Sequence, residues 1–248
     1  MMISFSGKRI AISGGAIGFG REMAQQFQTL GAEVHLCDIR AESMTDLAQS
    51  GIATSVVDLL DRQATAEWMA GICASGPVDV LINNAGGVAG QQGKPLEQVS
   101  DDEWNRIIDI NLSAAFVLSR AAAPAMKQQG RGRIINICSG AALKASLTGV
   151  QAYCAAKHAM LGLTRQLAHE LGPEGIQVNA IAPGFVFTNE ATQKQWDNFG
   201  VLRQQQVLNG IALRRLGTVQ DIAHAAIFLA SDLASFINGQ IISVDGGS

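Results

Sequence analysis

A short strand-forming run, Lys8–Ser13, opens directly into Gly14-Gly15-Ala16-Ile17-Gly18-Phe19-Gly20. Met23, Ala24, Phe27 and Leu30 then recur at helical spacing, and Gly31 ends the pattern. Strand, glycine turn and helix in this order leave few folds open, because this is the context that a phosphate-binding turn requires. Gly14 allows the tight turn, Gly18 lets the backbone approach a diphosphate, and Gly20 lets helix and strand lie close together. The amides at the helix N-terminus then face negative charge. The segment predicts contact between a dinucleotide and Gly14, Ile17, Gly18, Phe19 and Gly20. A plain strand-to-helix turn would look similar, so the next strand decides.

That strand, Glu33–Asp38, ends in an acid 18 residues past Gly20, where a carboxylate can accept hydrogen bonds from an adenosine ribose. The same carboxylate repels a 2′-phosphate: one pair of like charges about 4 Å apart costs about 1–4 kcal/mol, depending on exposure. No Lys or Arg lies among residues 13–20 to offset it, and Arg40 is the one nearby candidate. The reading is NAD over NADP. A third strand, Ala53–Asp58, brings Asp58 and the following Leu59 toward the adenine edge, although Asp58 could equally cap the helix that starts near Asp61. A fourth, Val78–Asn83, runs into Asn84-Ala85-Gly86-Gly87, where small residues suggest backbone passing close to a ligand.

The second half carries the candidate chemistry. Tyr153 and Lys157 stand four positions apart in a helix-forming run that reaches Leu171, so phenol and ammonium share one face. Such a pair is common on ordinary helices, but Tyr153 is the only tyrosine in the chain. Holding a phenol as its anion near neutrality needs roughly 4 kcal/mol. An ammonium about 4 Å away supplies about that much at an effective dielectric near 20. The apolar strand Arg133–Ser139 delivers Ser139 at its C-terminal end, where ligands bind in open parallel sheets. Ser100-Asp101-Asp102-Glu103 reads as a helix N-terminus, and Ile107 to Met126 as a long helix apolar on most faces. A helix of that kind is buried twice, against its own sheet and against another subunit. Within it Asn111 is either a satisfied structural amide or a link in a hydrogen-bond relay to Lys157.

With 248 residues and about half of them apolar, one substantial core is expected. A net charge of -3 gives no electrostatic footprint for nucleic acid or an anionic membrane. No apolar run approaches the ~20 residues of a spanning helix, and the N-terminus has no signal-peptide pattern. Cys37, Cys73, Cys138 and Cys154 have neither short paired spacings nor nearby ligand histidines. They read as small hydrophobes in a reducing cytoplasm, and no metal site is expected.

Ser13-Gly14-x-x-x-Gly18-x-Gly20, Asn83-Asn84-Ala85-Gly86, Asn111, Ser139, Tyr153-x-x-x-Lys157 and Pro183-Gly184 occur in the order found in the short-chain dehydrogenases/reductases. The chain resembles their single-domain branch over essentially its whole length, as far as Phe236-Ile-Asn-Gly-Gln-Ile-Ile-Ser-Val-Asp-Gly-Gly. The resemblance implies that Tyr153 is the general acid/base. Lys157 then binds the nicotinamide ribose and favours the phenolate, Ser139 orients the substrate oxygen, and Asn111 holds a relay water. It further implies that Asn84, Tyr153 and Lys157 touch the cofactor, that backbone near Val186 meets the carboxamide, and that Thr188 reaches the diphosphate. The polar stretch from Thr188 to Asn209 corresponds to an insert that covers the substrate. Three departures are visible: Ser13 replaces a usual threonine, Phe19 a usual isoleucine, and Ser139 to Tyr153 is one residue longer than the commonest spacing.

The expected architecture is one doubly wound Rossmann domain over residues 1–248, with a cofactor half to about 111 and a catalytic half beyond. Its seven parallel strands run in the order 3-2-1-4-5-6-7, with helices on both faces. The expected activity is NAD-dependent interconversion of a secondary alcohol and a ketone. Gln151, Lys144, Asn189 and Arg203 are candidates for a polar pocket holding a sugar, polyol or hydroxy acid. The expected assembly is a homotetramer or homodimer. The alternatives are a reductase of 3-oxoacyl thioesters and a nicotinamide-binding regulator without turnover. Enoyl reduction is disfavoured because that branch separates its Tyr and Lys more widely.

Overall fold

Strands β1 (Arg9–Ser13) and β4 (Val80–Asn83) are buried on both faces, as parallel strands covered by helices must be. They sit at the centre of a sheet completed by β2 (Glu33–Asp38), β3 (Ala53–Val56), β5 (Gly132–Ile137), β6 (Ile176–Pro183) and β7 (Ile241–Val244). Every pairing is parallel, and the order is β3-β2-β1-β4-β5-β6-β7, as expected. This computed structural model describes residues 3–248; Met1 and Met2, part of the terminus expected to lack a signal peptide, lie outside the described residues.

The helices are α1 (Gly18–Thr29), α2 (Thr45–Gln49), α3 (Arg62–Ala74), α4 (Asp101–Ile108), α5 (Ala114–Gln129), α6 (Gln151–Leu171), α7 (Glu190–Gly210) and α8 (Val219–Ala230). One face of the sheet is filled by Met23 and Phe27 of α1 and Ile222 and Ala226 of α8, against Ile12 and Leu36. The other is filled by Met69 of α3, Leu118 and Met126 of α5 and Leu171 of α6, against Leu81, Ile134 and Val178. Helices on both faces of a parallel sheet make the architecture doubly wound.

Some boundaries differ from the sequence reading. The short helix α2 lies where none is expected. Strands β3 and β5 stop before Asp58 and Ser139, which therefore sit on loops beyond the strand ends. Asp61, not Asp58, caps α3, accepting from the Gln63 and Ala64 amides. The long helix begins at Asp101, capped by Ser100 in a capping box with Glu103, and is continuous to Gln129 through a π turn at Asp109–Ser113. By length and composition alone this helix could cross a membrane, with a mean hydropathy of 1.2 over 18 of its residues, although Asp109 and Arg120 interrupt it, so no unbroken apolar run reaches the spanning length. Its inward residues Ile107, Ala114, Val117, Leu118, Ala122 and Met126 are buried within the protein core.

Candidate functional site

The C-terminal ends of β1, β2, β4, β5 and β6 converge on one edge of the sheet, where such folds bind ligands. The glycine turn is held there from both sides. Ser13 Oγ accepts from the Asn84 and Ala85 amides at 3.1 and 3.2 Å, and Asn84 Nδ2 donates to the Ser13 and Gly14 carbonyls at 3.0 and 2.7 Å. A Cβ on Gly14, whose φ is +69°, would stand 2.7 Å from the Ala85 Cα. Asn84 is thus a brace behind the turn. Ser13 does the same work with its hydroxyl, a role that its place in the sequence does not reveal.

The turn fits a dinucleotide on three observations. Ile17, the N-cap of α1, supplies no side-chain cap, so the first-turn amides are left for an anion. A Cβ on Gly18 would meet Thr188 Cβ at 2.9 Å, so the segment between β6 and α7 reaches the helix terminus. At the end of β2, Asp38 Oδ2 accepts from the Ala16 amide at 3.1 Å and Oδ1 from the Arg40 amide at 3.1 Å, which fixes the carboxylate at the rim of the turn. Arg40 itself is exposed. Ile17 and Phe19 are half-buried against the core, and Asp58 is exposed with its Oδ1 accepting from the Leu60 amide at 3.0 Å. The Leu59 side chain is buried in the core, so only its backbone is available to a ligand. Val186 is buried and pairs with Gly217 in an isolated parallel bridge.

Two of the catalytic candidates, Asn111 and Lys157, meet around Gly86. Lys157 is 3% exposed, and its Nζ donates to the Ile137 carbonyl at 2.9 Å, pinned to the end of β5. The same Nζ stands 5.7 Å from the Tyr153 ring centroid. Tyr153 is half-buried against the cluster of Ile107, Val150 and Ala152, on which Val88 also packs. Asn111 lies in the π turn, a deviation that recurs at functional sites. Its Oδ1 accepts from the Gly87 amide at 2.9 Å, and its Nδ2 donates to the Gly87 and Ile107 carbonyls at 2.8 and 2.9 Å. A Cβ on Gly86 would sit 2.5 Å from Asn111 Oδ1 and 3.3 Å from Lys157 Nζ, so both groups border the same small space. Ser139 lies two residues past β5, its Oγ accepting from the Ala141 amide at 3.1 Å. Among the described residues no hydrogen bond joins Ser139 to Tyr153, or Asn111 to Lys157.

Cys138 is buried beside this cluster. Burial pushes its thiol up, only partly opposed by the Lys157 charge, which leaves it a poor nucleophile. The expected polar pocket is redrawn. Asn189 caps α7, accepting from the Thr192 amide, and Gln151 Nε2 donates to the Lys94 carbonyl at 2.8 Å. The Arg203 guanidinium lies 4.6 Å from the Phe199 ring centroid, and Lys144 is exposed. Beyond β6, Phe185, Phe187, Trp196 and Phe199 form an aromatic cluster that joins α7 to the sheet edge. The backbone of α7 breaks at Gly200, with φ +69° and ψ 164°.

Residues 14–248 match the family described as Enoyl-(Acyl carrier protein) reductase. Gluconate 5-dehydrogenase of Gluconobacter oxydans is 36% identical over 258 residues, covering 99% of this chain and 96% of that protein. A 3-oxoacyl-[acyl-carrier-protein] reductase FabG of Chlamydia muridarum is 34% identical over 248 residues, covering 97% and 96%. Among solved structures, a Beutenbergia cavernae protein provisionally described as an NAD(P) dependent gluconate 5-dehydrogenase, with NADP bound at low occupancy, superposes with a TM-score of 0.88. It is 36% identical, with 99% of this chain and 98% of that one covered.

Proposed function

The chain belongs to the short-chain dehydrogenase/reductase family, oxidoreductases of CH–OH groups, and from that premise we propose that it interconverts a secondary alcohol and a ketone with NAD, acting on a sugar, polyol or hydroxy acid. The observation that carries the reading is the buried Lys157 ammonium, pinned on Ile137 and facing the ring of the chain's only tyrosine.

In the oxidative direction, Tyr153 takes the hydroxyl proton of the substrate as phenolate, and Ser139 donates a hydrogen bond to the same oxygen. Gly14, Gly18, Asp38, Thr188 and Lys157 would hold the nicotinamide cofactor, which would supply the hydride acceptor when bound. Lys157 holds negative charge on the phenol, and a water at Asn111 carries the proton outward. General base catalysis of this kind contributes typically about 10²–10⁴ in rate, and alignment of the reactants accounts for most of the remainder.

The preference for NAD rests on Asp38, fixed at the turn by the Ala16 amide, where a 2′-phosphate would meet like charge. A homotetramer, or a homodimer, is supported by Trp104 and Phe116, large apolar residues 38% and 44% exposed on the continuous helix α4–α5. Cytoplasmic placement is supported by four free cysteines. The second reading, reduction of 3-oxoacyl thioesters, is favoured by the 34% identity to the Chlamydia muridarum reductase.

The test is a spectrophotometric screen of NAD and NADP against sugars, polyols and hydroxy acids, run beside reduction of a 3-oxoacyl thioester. NADH formed from a member of the first panel is the expected result. Turnover confined to the thioester would select the second reading, and none with either would leave a regulator.

A further inference from the structure

Tyr153 packs against an apolar cluster of Ile107 from α4 and Val150 and Ala152 at the start of α6, and Val88 of the loop after β4 packs against the same cluster. The same three segments are tied together again, by polar groups, just outside that cluster. Lys94 Nζ donates to both carboxylate oxygens of Glu103 at 2.6 Å, joining the loop to α4. Gln91 Nε2 donates to the Glu103 carbonyl at 2.8 Å. Gln151 Nε2 crosses from α6 to the Lys94 carbonyl at 2.8 Å. Beneath these bonds Gly93 lies so near Gly149 that a Cβ on it would stand 3.0 Å from three Gly149 backbone atoms.

We propose that Lys94, Glu103 and Gln151 form a clasp that sets where the Tyr153 phenol stands relative to Lys157, and that they are positioning residues for proton transfer. Lys157 is anchored independently, on β5. Both side chains leave α6 one turn apart, so the helix sets their backbone separation, and the loop and α4 can alter only the direction in which the Tyr153 ring is held. The longer Ser139–Tyr153 connection makes such a tie necessary, because a longer loop alone leaves the start of α6 less constrained. Glu103 is suited to this role because Lys94, and after it Ser100, hold its carboxyl well below the usual range, at about 2. Glu103 thus stays ionised at neutral pH and well below it. Lys157 is the charged group that faces the Tyr153 ring, and the cluster that the ring packs against is apolar.

This inference rests on Tyr153 being the base, and the experiment separates the two claims. The pH dependence of kcat/KM for alcohol oxidation is measured at saturating NAD for the wild type, Lys94→Met, Lys94→Arg, Gln151→Leu and Tyr153→Phe. Thermal unfolding is followed on each. Lys94→Met keeps the aliphatic stem and leaves the Ser100–Glu103 capping box in place. Loosening the pair by about 1 Å at an effective dielectric near 20 moves the rise of kcat/KM to higher pH by about half a unit. The expected result is that shift in Lys94→Met and Gln151→Leu, with Lys94→Arg restored toward wild type. Near-ultraviolet tyrosinate absorbance, which reports Tyr153 alone, moves in the same sense without any turnover. Profiles that superimpose on wild type while the unfolding temperature falls would make the clasp merely structural and overturn the proposal. So would an arginine that fails to restore the profile. If the wild-type rise survives in Tyr153→Phe, the reading of Tyr153 itself has failed.

Discussion

Replacing Asp38 by Asn removes one charge from the rim of the glycine turn and should change which dinucleotide the enzyme prefers. The carboxylate is half-buried and fixed by the Ala16 and Arg40 amides, both at 3.1 Å. A like charge about 4 Å away costs about 1 kcal/mol in water and about 4 kcal/mol at an effective dielectric of 20. That range corresponds to a discrimination against NADP of about 5- to 700-fold, a lower bound because a phosphate carries more than one charge. The substituted amide would also accept less well from the ribose of NAD, since charge-assisted hydrogen bonds are worth about 1.5–3 kcal/mol. The ratio of kcat/KM for NAD to that for NADP should therefore fall at least about tenfold. A further cost follows from the geometry. The single amide oxygen of an asparagine can serve only one of the two backbone amides, so stability drops by about 1–3 kcal/mol. The assay is initial-rate kinetics with both cofactors and one alcohol, at about 0.15 M and about 1 M salt, where the Debye length shrinks from about 8 to about 3 Å. High salt should weaken the wild-type preference. A ratio that stays within about twofold after the substitution, or a wild type that prefers NADP, would refute the electrostatic reasoning.

Other substitutions probe the surroundings of the pair. Gly86→Ala places a methyl 2.5 Å from Asn111 Oδ1 at a φ of +153°; kcat should fall at least about tenfold and stability by about 1–3 kcal/mol, read from steady-state rates and thermal unfolding. Asn136→Ala removes the acceptor of Asn83 Nδ2 (2.8 Å) and the donor to Thr164 Oγ1 (2.9 Å), both buried. Denaturant unfolding should show a loss of about 2–5 kcal/mol. Burial pushes the Cys37 thiol up to about 12 and raises that of Cys138, so neither offers a thiolate at neutral pH. Mass spectrometry after brief alkylation of the folded protein should find both unmodified, and both labelled once it is unfolded.

Patterns that repeat along the chain are legible as sequence. The glycine turn between β1 and α1, the buried strands, and the i, i+4 spacing of Tyr153 and Lys157 are each a local pattern, and the alternation of strands and helices around that turn points to the strand order. Contact between distant segments leaves no such pattern. Asn83, Asn136 and Thr164 form one buried hydrogen-bonded network, yet nothing local links them, and Asn136 looks like an isolated polar residue in an apolar run. An asparagine inside a buried strand is the available signal, since such a group must find a partner. The tie from Gln151 to Lys94 spans 57 positions and has no local mark. Asn189 reads as a pocket residue because a helix cap and a pocket residue share the same polarity, and the cap is decided by where α7 begins. The long helix is legible across Asp109, from Ile107 to Met126, and only its join to the start at Ser100–Glu103 and the π turn at Asp109–Ser113 are not marked by a local pattern.

The central claim is that the Tyr153 hydroxyl moves the substrate proton, and Tyr153→Phe tests it with the loss of one oxygen atom. With NAD binding measured separately by calorimetry, the account predicts unchanged affinity for NAD and a fall in kcat of about 10²–10⁴. A variant that binds NAD and oxidises the same alcohol within a few-fold of the wild-type rate would contradict it.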